Sequence, residues 1–118
     1  LIPVVEIDIE LPFDAITTKF RSILKQMAPF GPENHKPVFE SGRVFVMNAL
    51  STFKDKHIRF LAGQHGSESV MNVVGFDMME HYERLSNGDE CRIAYTIEEN
   101  TFNGMTSLQL RLKDIKFD

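Results

Sequence analysis

The sequence holds a single cysteine, Cys91. One thiol closes no intramolecular disulfide and builds no cysteine-based zinc cage, which suits a reducing, cytoplasmic setting. No uninterrupted apolar stretch approaches the ~20 residues that a membrane-spanning helix needs, so no membrane role is expected. The chain starts at Leu1, without Met, a basic n-region or an apolar h-region, and reads as a piece of something longer. His35, His57, His65 and His81 fall at no metal-ligand spacing, and HExxH and CxxC are both absent. GxSxG, the P-loop and GxGxxG are missing too, so no catalytic residue, metal site or cofactor site is expected within this chain. Nothing repeats, and no segment is of low complexity.

What remains is ordinary globular material: 118 residues, 42% apolar and 25% charged. That is enough for one compact core and too apolar for disorder. Net charge is −4, from 13 Lys+Arg against 17 Asp+Glu, which weighs against a uniformly basic nucleic-acid binder. The distribution matters more than the total. Between Ser41 and Gln64 the cations Arg43, Lys54, Lys56 and Arg59 face only Asp55. Between His65 and Gly104, Arg84 and Arg92 are outnumbered by Glu68, Asp77, Glu80, Glu83, Asp89, Glu90, Glu98 and Glu99. If these segments fold onto different faces, the basic face can meet a phosphate chain despite the negative sum.

Val4 to Ile9 alternates apolar and acidic residues, the period of a half-buried strand. Asp14 stands as a helix N-cap, and Ile16, Phe20, Ile23, Leu24 and Met27 fall on one face of a helix over 15–27. Pro29, Gly31 and Pro32 stop it, and PFGPENHKPVF reads as an ordered loop. From Gly42 the texture changes to strands: GRVFVMNALSTF, HIRFLAGQ and SVMNVVGF, broken at Lys54-Asp55 and Gly66-Ser67. A short helix, DMMEHYERL, ends at Gly88 and offers Met78, Met79 and Tyr82 inward. CRIAYTIEE and TSLQLRLKDIKF follow, joined through Asn103-Gly104. Ile58, Phe60, Ile93, Tyr95, Leu108, Leu110 and Leu112 are the expected core, with Arg59, Arg111 and Lys113 outside. Three strands, a helix and two strands is the order of an OB-fold barrel, with the helix between its third and fourth strands. The class is therefore mainly β: residues 1–40 give an N-terminal strand, a linker helix and the PFG loop, and 41–118 the five-stranded OB domain.

An OB-fold binds oligonucleotides on the face of its second and third strands and with the loops joining strands one–two and four–five. Lys54, Lys56, His57 and Arg59 cluster at the first of those loops and on the second strand. There, cations track phosphates while aromatic rings stack on bases. Phe53 and Phe102 are the candidate rings. Cys91 is expected to be a small buried hydrophobe, and Glu98 and Glu99, adjacent on a strand, to point to opposite faces.

Two motifs carry a resemblance. Pro29-Phe30-Gly31-Pro32-Glu33-Asn34-His35-Lys36-Pro37-Val38-Phe39 resembles the PFGxxNxxPxF signature of the RecJ family, exonucleases specific for single-stranded DNA. Asn100-Thr101-Phe102-Asn103-Gly104, then Ser107-Leu108-Gln109-Leu110 and Asp114-Ile115, is similar to that family's NxFxG…SLQL…DI ending. Lys56-His57-Ile58-Arg59-Phe60 resembles its KHLRL strand, with Phe60 in place of an aliphatic residue. The resemblance implies the stretch leaving a nuclease core, then the OB domain that grips single-stranded DNA. The parent enzyme would degrade DNA from the five-prime end in repair and recombination. Its manganese or magnesium would sit in a domain with DHH-type aspartates and histidines, a motif missing here. In this reading Pro29, Phe30, Gly31, Asn34, Pro37 and Phe39 are structural, with Phe30 and Phe39 anchoring the loop. The partners implied are single-stranded DNA, the rest of the nuclease chain and other repair proteins. Two other roles stay open: a protein-interaction surface using the acidic stretch Asp77–Glu99, and a structural brace.

Overall fold

The computed structural model describes residues 5–27 and 36–117. The longest strand organises the rest. Strand β2, Phe39–Phe53, is preceded by a two-residue strand β1, Ile9–Glu10, and by helix α1, Thr18–Met27. Strands β3, His57–Gly63, and β4, Val70–Gly75, follow. A 3-10 turn, Met79–His81, then leads into the short helix α2, Tyr82–Ser86, and on to β5, Cys91–Phe102, and β6, Met105–Phe117. The first half of β2 pairs antiparallel with β5, from Phe39 opposite Tyr95 to Val44 opposite Cys91. Its second half pairs antiparallel with β3, from Phe45 opposite Gly63 to Phe53 opposite His57. With β3 on β4, β4 parallel to β6, and β6 on β5, the five strands close into a ring.

Two irregularities let one strand serve two partners. The β5 register shifts between Ser41 and Val44, and the β3 register shifts on either side of Asn48. Extra residues in one strand bend it and increase its twist. Ala49 stands at φ 60, and its N–H donates to the Asn48 Oδ1 at 2.7 Å, which occupies the amide that the ladder leaves unpaired.

The expected core faces inward. Ile58, Phe60, Ile93, Tyr95, Leu110 and Leu112 are buried, joined by Val44, Val73 and Cys91, while Arg59, Arg111 and Lys113 are exposed. Met78, Met79 and Tyr82 pack against that core, and Gly88 has φ 85, the left-handed conformation that ends α2. Leu108 departs from expectation: it is only half-buried. The β4–β6 ladder begins at Gln109, so Leu108 precedes its first rung and shares a shallow recess with Leu24 of α1. Strict alternation also fails near the C-terminus. Tyr95 pairs with Leu112 and Ala94 with Asp114, so Lys113 is the extra residue, and both Leu112 and Ile115 turn inward.

Two N-terminal expectations need correction. Of the alternating run Val4–Ile9, Val4 lies outside the described residues, and the rest yields only the pair Ile9–Glu10, parallel to Phe39–Glu40, with Ile7 and Ile9 exposed. The pairing ends at the Leu11 N–H, which donates to the Glu40 carbonyl at 2.8 Å, because Pro12 follows and has no N–H to continue it. The helix does not run on from Asp14. A 3-10 turn, Phe13–Ala15, comes first, and the Oγ1 of Thr17 accepts the Phe20 N–H at 3.2 Å, the true N-cap. Asp14 instead accepts the hydroxyls of Ser67 and Ser69 at 2.6 and 2.7 Å, which hold its carboxyl below the ordinary aspartate value. Ile16, Phe20 and Leu24 pack against the core as the helical period requires; the side chains of Ile23 and Met27 lie outside those described.

A hydroxyl chain ties the N-terminal segment to the ring. The Ser41 hydroxyl donates to the Leu11 carbonyl at 2.7 Å and lies 2.6 Å from the Tyr95 phenol. The Tyr95 hydroxyl also lies 3.3 Å from the Leu11 carbonyl; each hydroxyl has one proton, and the two shortest contacts are both made when Tyr95 donates to Ser41 and Ser41 to Leu11. Leu11 and Phe13 are accordingly buried in the same cluster as the strands. Phe39 stands in the seam, its ring 5.5 Å from Phe20 of α1, edge to face, and 6.1 Å from Tyr95. Among the described residues no helix is long and apolar enough to cross a membrane.

Replacing Leu110 by Ala should cost about 2–5 kcal/mol, the usual range for a buried leucine, measured by urea unfolding. A loss under about half a kcal/mol would show that Leu110 is not packed as described. Burial also pushes the Cys91 thiol up to about 11 and the Tyr95 phenol up to about 12. The unfolded chain therefore loses these protons first as the pH rises. The thiol's share of stability is complete below its ordinary value of 9.0 and is lost as the pH climbs through about 11. Urea midpoints should fall across that window, and fall less in Cys91→Ala.

Candidate nucleic-acid interface

On β3 the side chains of Ile58, Phe60 and Ala62 enter the ring, so those of His57, Arg59 and Leu61 face out. Register carries this outer face across the sheet: Arg59 lies opposite Val74 of β4, and Val74 opposite Arg111 of β6. Val74 is only 2% exposed although it lies outside the internal core cluster, because this face has a cover of its own. The cover is a strip of rings and guanidinium groups. Phe53, ending β2, lies 5.0 Å from the His57 ring and 6.1 Å from Phe76, edge to face. Phe76, just past β4, lies 5.0 Å from His57. The Arg59 guanidinium sits 4.8 Å from the centroid of Phe53, and that of Arg111 sits 4.6 Å from Phe76.

Each such cation–ring contact contributes about 0.5–1 kcal/mol at an exposed site, and it holds a flexible arginine against a defined surface. Asp77 has φ 57 and turns its N–H onto the Nδ1 of His57 at 2.9 Å. An accepting Nδ1 carries no proton, so the imidazole hydrogen is on Nε2.

Sequence reasoning places Lys54, Lys56, His57, Arg59 and Phe102 at this interface, with Phe53 as a further candidate ring. Lys54 and Lys56 are exposed on the β2–β3 turn and Arg59 is exposed on β3. Lys54 and Asp55 both have positive φ, with the Lys56 N–H bonded to the Phe53 carbonyl at 3.3 Å, the sign pattern of the tight hairpin turn that follows the twist of the strands. His57 is different: it is 8% exposed, clamped between two rings, with one nitrogen committed to Asp77. It supports the strip from beneath and offers little surface to a phosphate. Phe102 is 73% exposed at the β5–β6 hairpin tip, opposite Met105 at 78%. The hairpin turns on Asn103 and Gly104, both at positive φ. β6 runs parallel to β4 with Gln109 opposite Asn72, so this tip lies beyond the Val70 end of β4, whereas the 54–56 turn lies beside the Gly75 end. The outer face lies between them.

Of the motif residues, Pro37 is half-buried and Phe39 buried; Pro29, Phe30, Gly31 and Asn34 lie outside the described residues. Sequence reasoning misses Phe76 and Arg111 as site residues. Alternation does place Arg111 on the wet face, but its partner across the sheet depends on the parallel β4–β6 register, which no local pattern encodes.

A cleft of about 670 Å³ lies elsewhere, between Asp14, Glu40, Gln64, His65, Glu90 and Arg92. In it the Arg92 guanidinium lies 3.3 Å from Glu40, and the His65 ring lies 3.1 Å from the Glu90 carboxylate. Among the described residues no three His, Cys, Asp or Glu side chains converge as metal ligands would. Cys91 is buried, and its raised pKa keeps it a thiol.

No curated protein matches the chain. The family model described as the RecJ OB domain matches residues 7–114, a span that takes in β1, α1, the whole outer-face strip and nearly all of the closed ring. The chain belongs to the RecJ OB domain family.

Proposed function

We propose that this OB module binds single-stranded DNA on behalf of a RecJ-type five-prime exonuclease acting in DNA repair and recombination. The observation that carries the reading is the outer-face strip, in which Arg59 and Arg111 lie on Phe53 and Phe76 beside Lys54 and Lys56. Single strands expose base faces and phosphates together, and a surface that alternates rings with cations answers both. A duplex hides its base faces and would use only the cations. Metal-dependent cleavage belongs, in this reading, to domains with the DHH motif.

The acidic stretch is poorly placed to be a docking surface for a basic protein, because much of it is engaged within the chain. Glu99 pairs with Arg21 and Lys25 and Asp89 with Arg84, while Glu98 stands 3.8 Å from Arg111 and 3.9 Å from Lys36, and Glu90 3.1 Å from the His65 ring. That engagement favours the nucleic-acid reading over protein recruitment.

Fluorescence anisotropy with a labelled oligothymidylate of about 15 nucleotides, near the upper site size of one OB fold, tests the proposal. Binding should be measurable at low salt and weaken steeply as salt rises. Lys56→Ala and Arg59→Ala should each weaken it for all sequences and lower the salt slope by about one for every phosphate the variant no longer neutralises. Variants that bind like the parent would remove this face from consideration. Phe102→Ala should weaken binding by about 1–3 kcal/mol with the salt slope unchanged, as removal of a stacked ring does. An unchanged affinity would show that the DNA path stops short of the hairpin.

A further inference from the structure

Beside the strip, on its β6 side, lies a recess of about 300 Å³ lined by Lys36, Val38, Thr96, Glu98, Arg111 and Lys113. Thr96 and Glu98 share the outer face of β5, Thr96 pairs directly with Arg111, and Lys113, the extra residue of the β6 irregularity, lines the same recess. Lys36 enters from the stretch that leads into β2. Three cations therefore surround one carboxylate. A single oxygen, Oε2 of Glu98, serves two of them, at 3.8 Å from Arg111 Nη1 and 3.9 Å from Lys36 Nζ. Charge-assisted hydrogen bonds close to about 2.7–2.9 Å, so neither contact is fully made. Lys113 has no ion-pair partner among the described residues. Arg111 belongs to both places, with its guanidinium over Phe76 and also within reach of Glu98.

Resting on the single-strand reading above, we propose that this recess is a backbone-phosphate subsite and that Glu98 is its resident stand-in. The carboxylate holds Lys36 and Arg111 toward a common point until a phosphate takes its place. A strand that crosses the rings at Phe53 and Phe76 then continues over Arg111 to a phosphate held by Lys36, Arg111 and Lys113. The incoming phosphate must overcome repulsion from Glu98, so the carboxylate weakens binding while it keeps the cations gathered. The site thus has a built-in competitor, and removing its charge should raise affinity.

The test uses the same chain and the same labelled oligothymidylate at low salt. Glu98→Gln should bind about three- to tenfold tighter, in line with one unit charge removed at about 4 Å in a mostly aqueous setting. Glu83→Gln, an equal change in net charge on the exposed face of α2, is the control and should leave affinity as it was. Lys113→Ala should weaken binding and lower the salt slope by about one. Circular dichroism on each variant confirms that the fold is kept. Equal tightening by Glu98→Gln and Glu83→Gln would reduce the effect to the field of the whole molecule and overturn the subsite. So would Glu98→Gln and Lys113→Ala variants that bind like the parent while Arg59→Ala weakens, and in that case the single-strand reading survives. A parent chain that binds no oligonucleotide at low salt defeats both.

Discussion

Strand β2 cannot satisfy both of its neighbours while straight. Its first half belongs to β5 and its second to β3, and the ring exists because the strand turns between them at its irregular registers. Everything that positions the outer face follows from that bend. It delivers Phe53 to the start of β3, where the ring meets His57 and Arg59. It leaves Ser41 inside, where its hydroxyl links the Leu11 carbonyl to the Tyr95 phenol. A buried polar chain of this kind is costly to leave half-made, since each unsatisfied group carries its own desolvation penalty. The N-terminal segment is thereby fixed to the ring by direction as well as by apolar contact.

The electrostatic arrangement explains how a chain of net charge −4 can present a basic face. Glu99 draws in Arg21 and Lys25 of α1, and Asp89 takes Arg84 at 2.8 Å. These pairs are exposed and contribute little stability individually. Their effect is to localise negative charge away from β3. On the β3–β4–β6 face Arg59 and Arg111 lie on rings, whose negative faces attract them without cancelling their charge, and a carboxylate, Glu98, stands beside Arg111 alone of the two.

Much of this is legible in the sequence, and the parts that are not share a physical cause. Period-2 alternation identifies the inward set on β3 and most of that on β5 and β6, because each depends on a strand's own residues. The turns at Lys54-Asp55 and Asn103-Gly104 and the left-handed Gly88 are equally local. The errors lie where a distant partner decides. Val4–Ile9 has a strand's pattern, but strand pairing with β2 is confined to Ile9–Glu10. Leu108 has a core residue's phase, but the pairing of β6 with β4 begins only at Gln109. His57 reads in sequence as a solvent-facing cation, and Phe76, which arrives from beyond β4, covers it. The same non-local register hides Arg111 as a partner of that ring.

The parallel pairing of β4 with β6 has a consequence for how the chain acquires its structure. On the side away from β3, Asn72 pairs with Gln109, and the ladder that finishes the ring is made by β6. The β2–β3 and β3–β4 hairpins close short loops and can form early, but until β6 arrives β4 is an open edge carrying Val73 and Val74. Such long-range closure is slow relative to hairpin formation. During synthesis, the sheet would stay open on one side until its final residues emerge. A chain ending before Leu110 would present a β4 edge available to any other strand nearby.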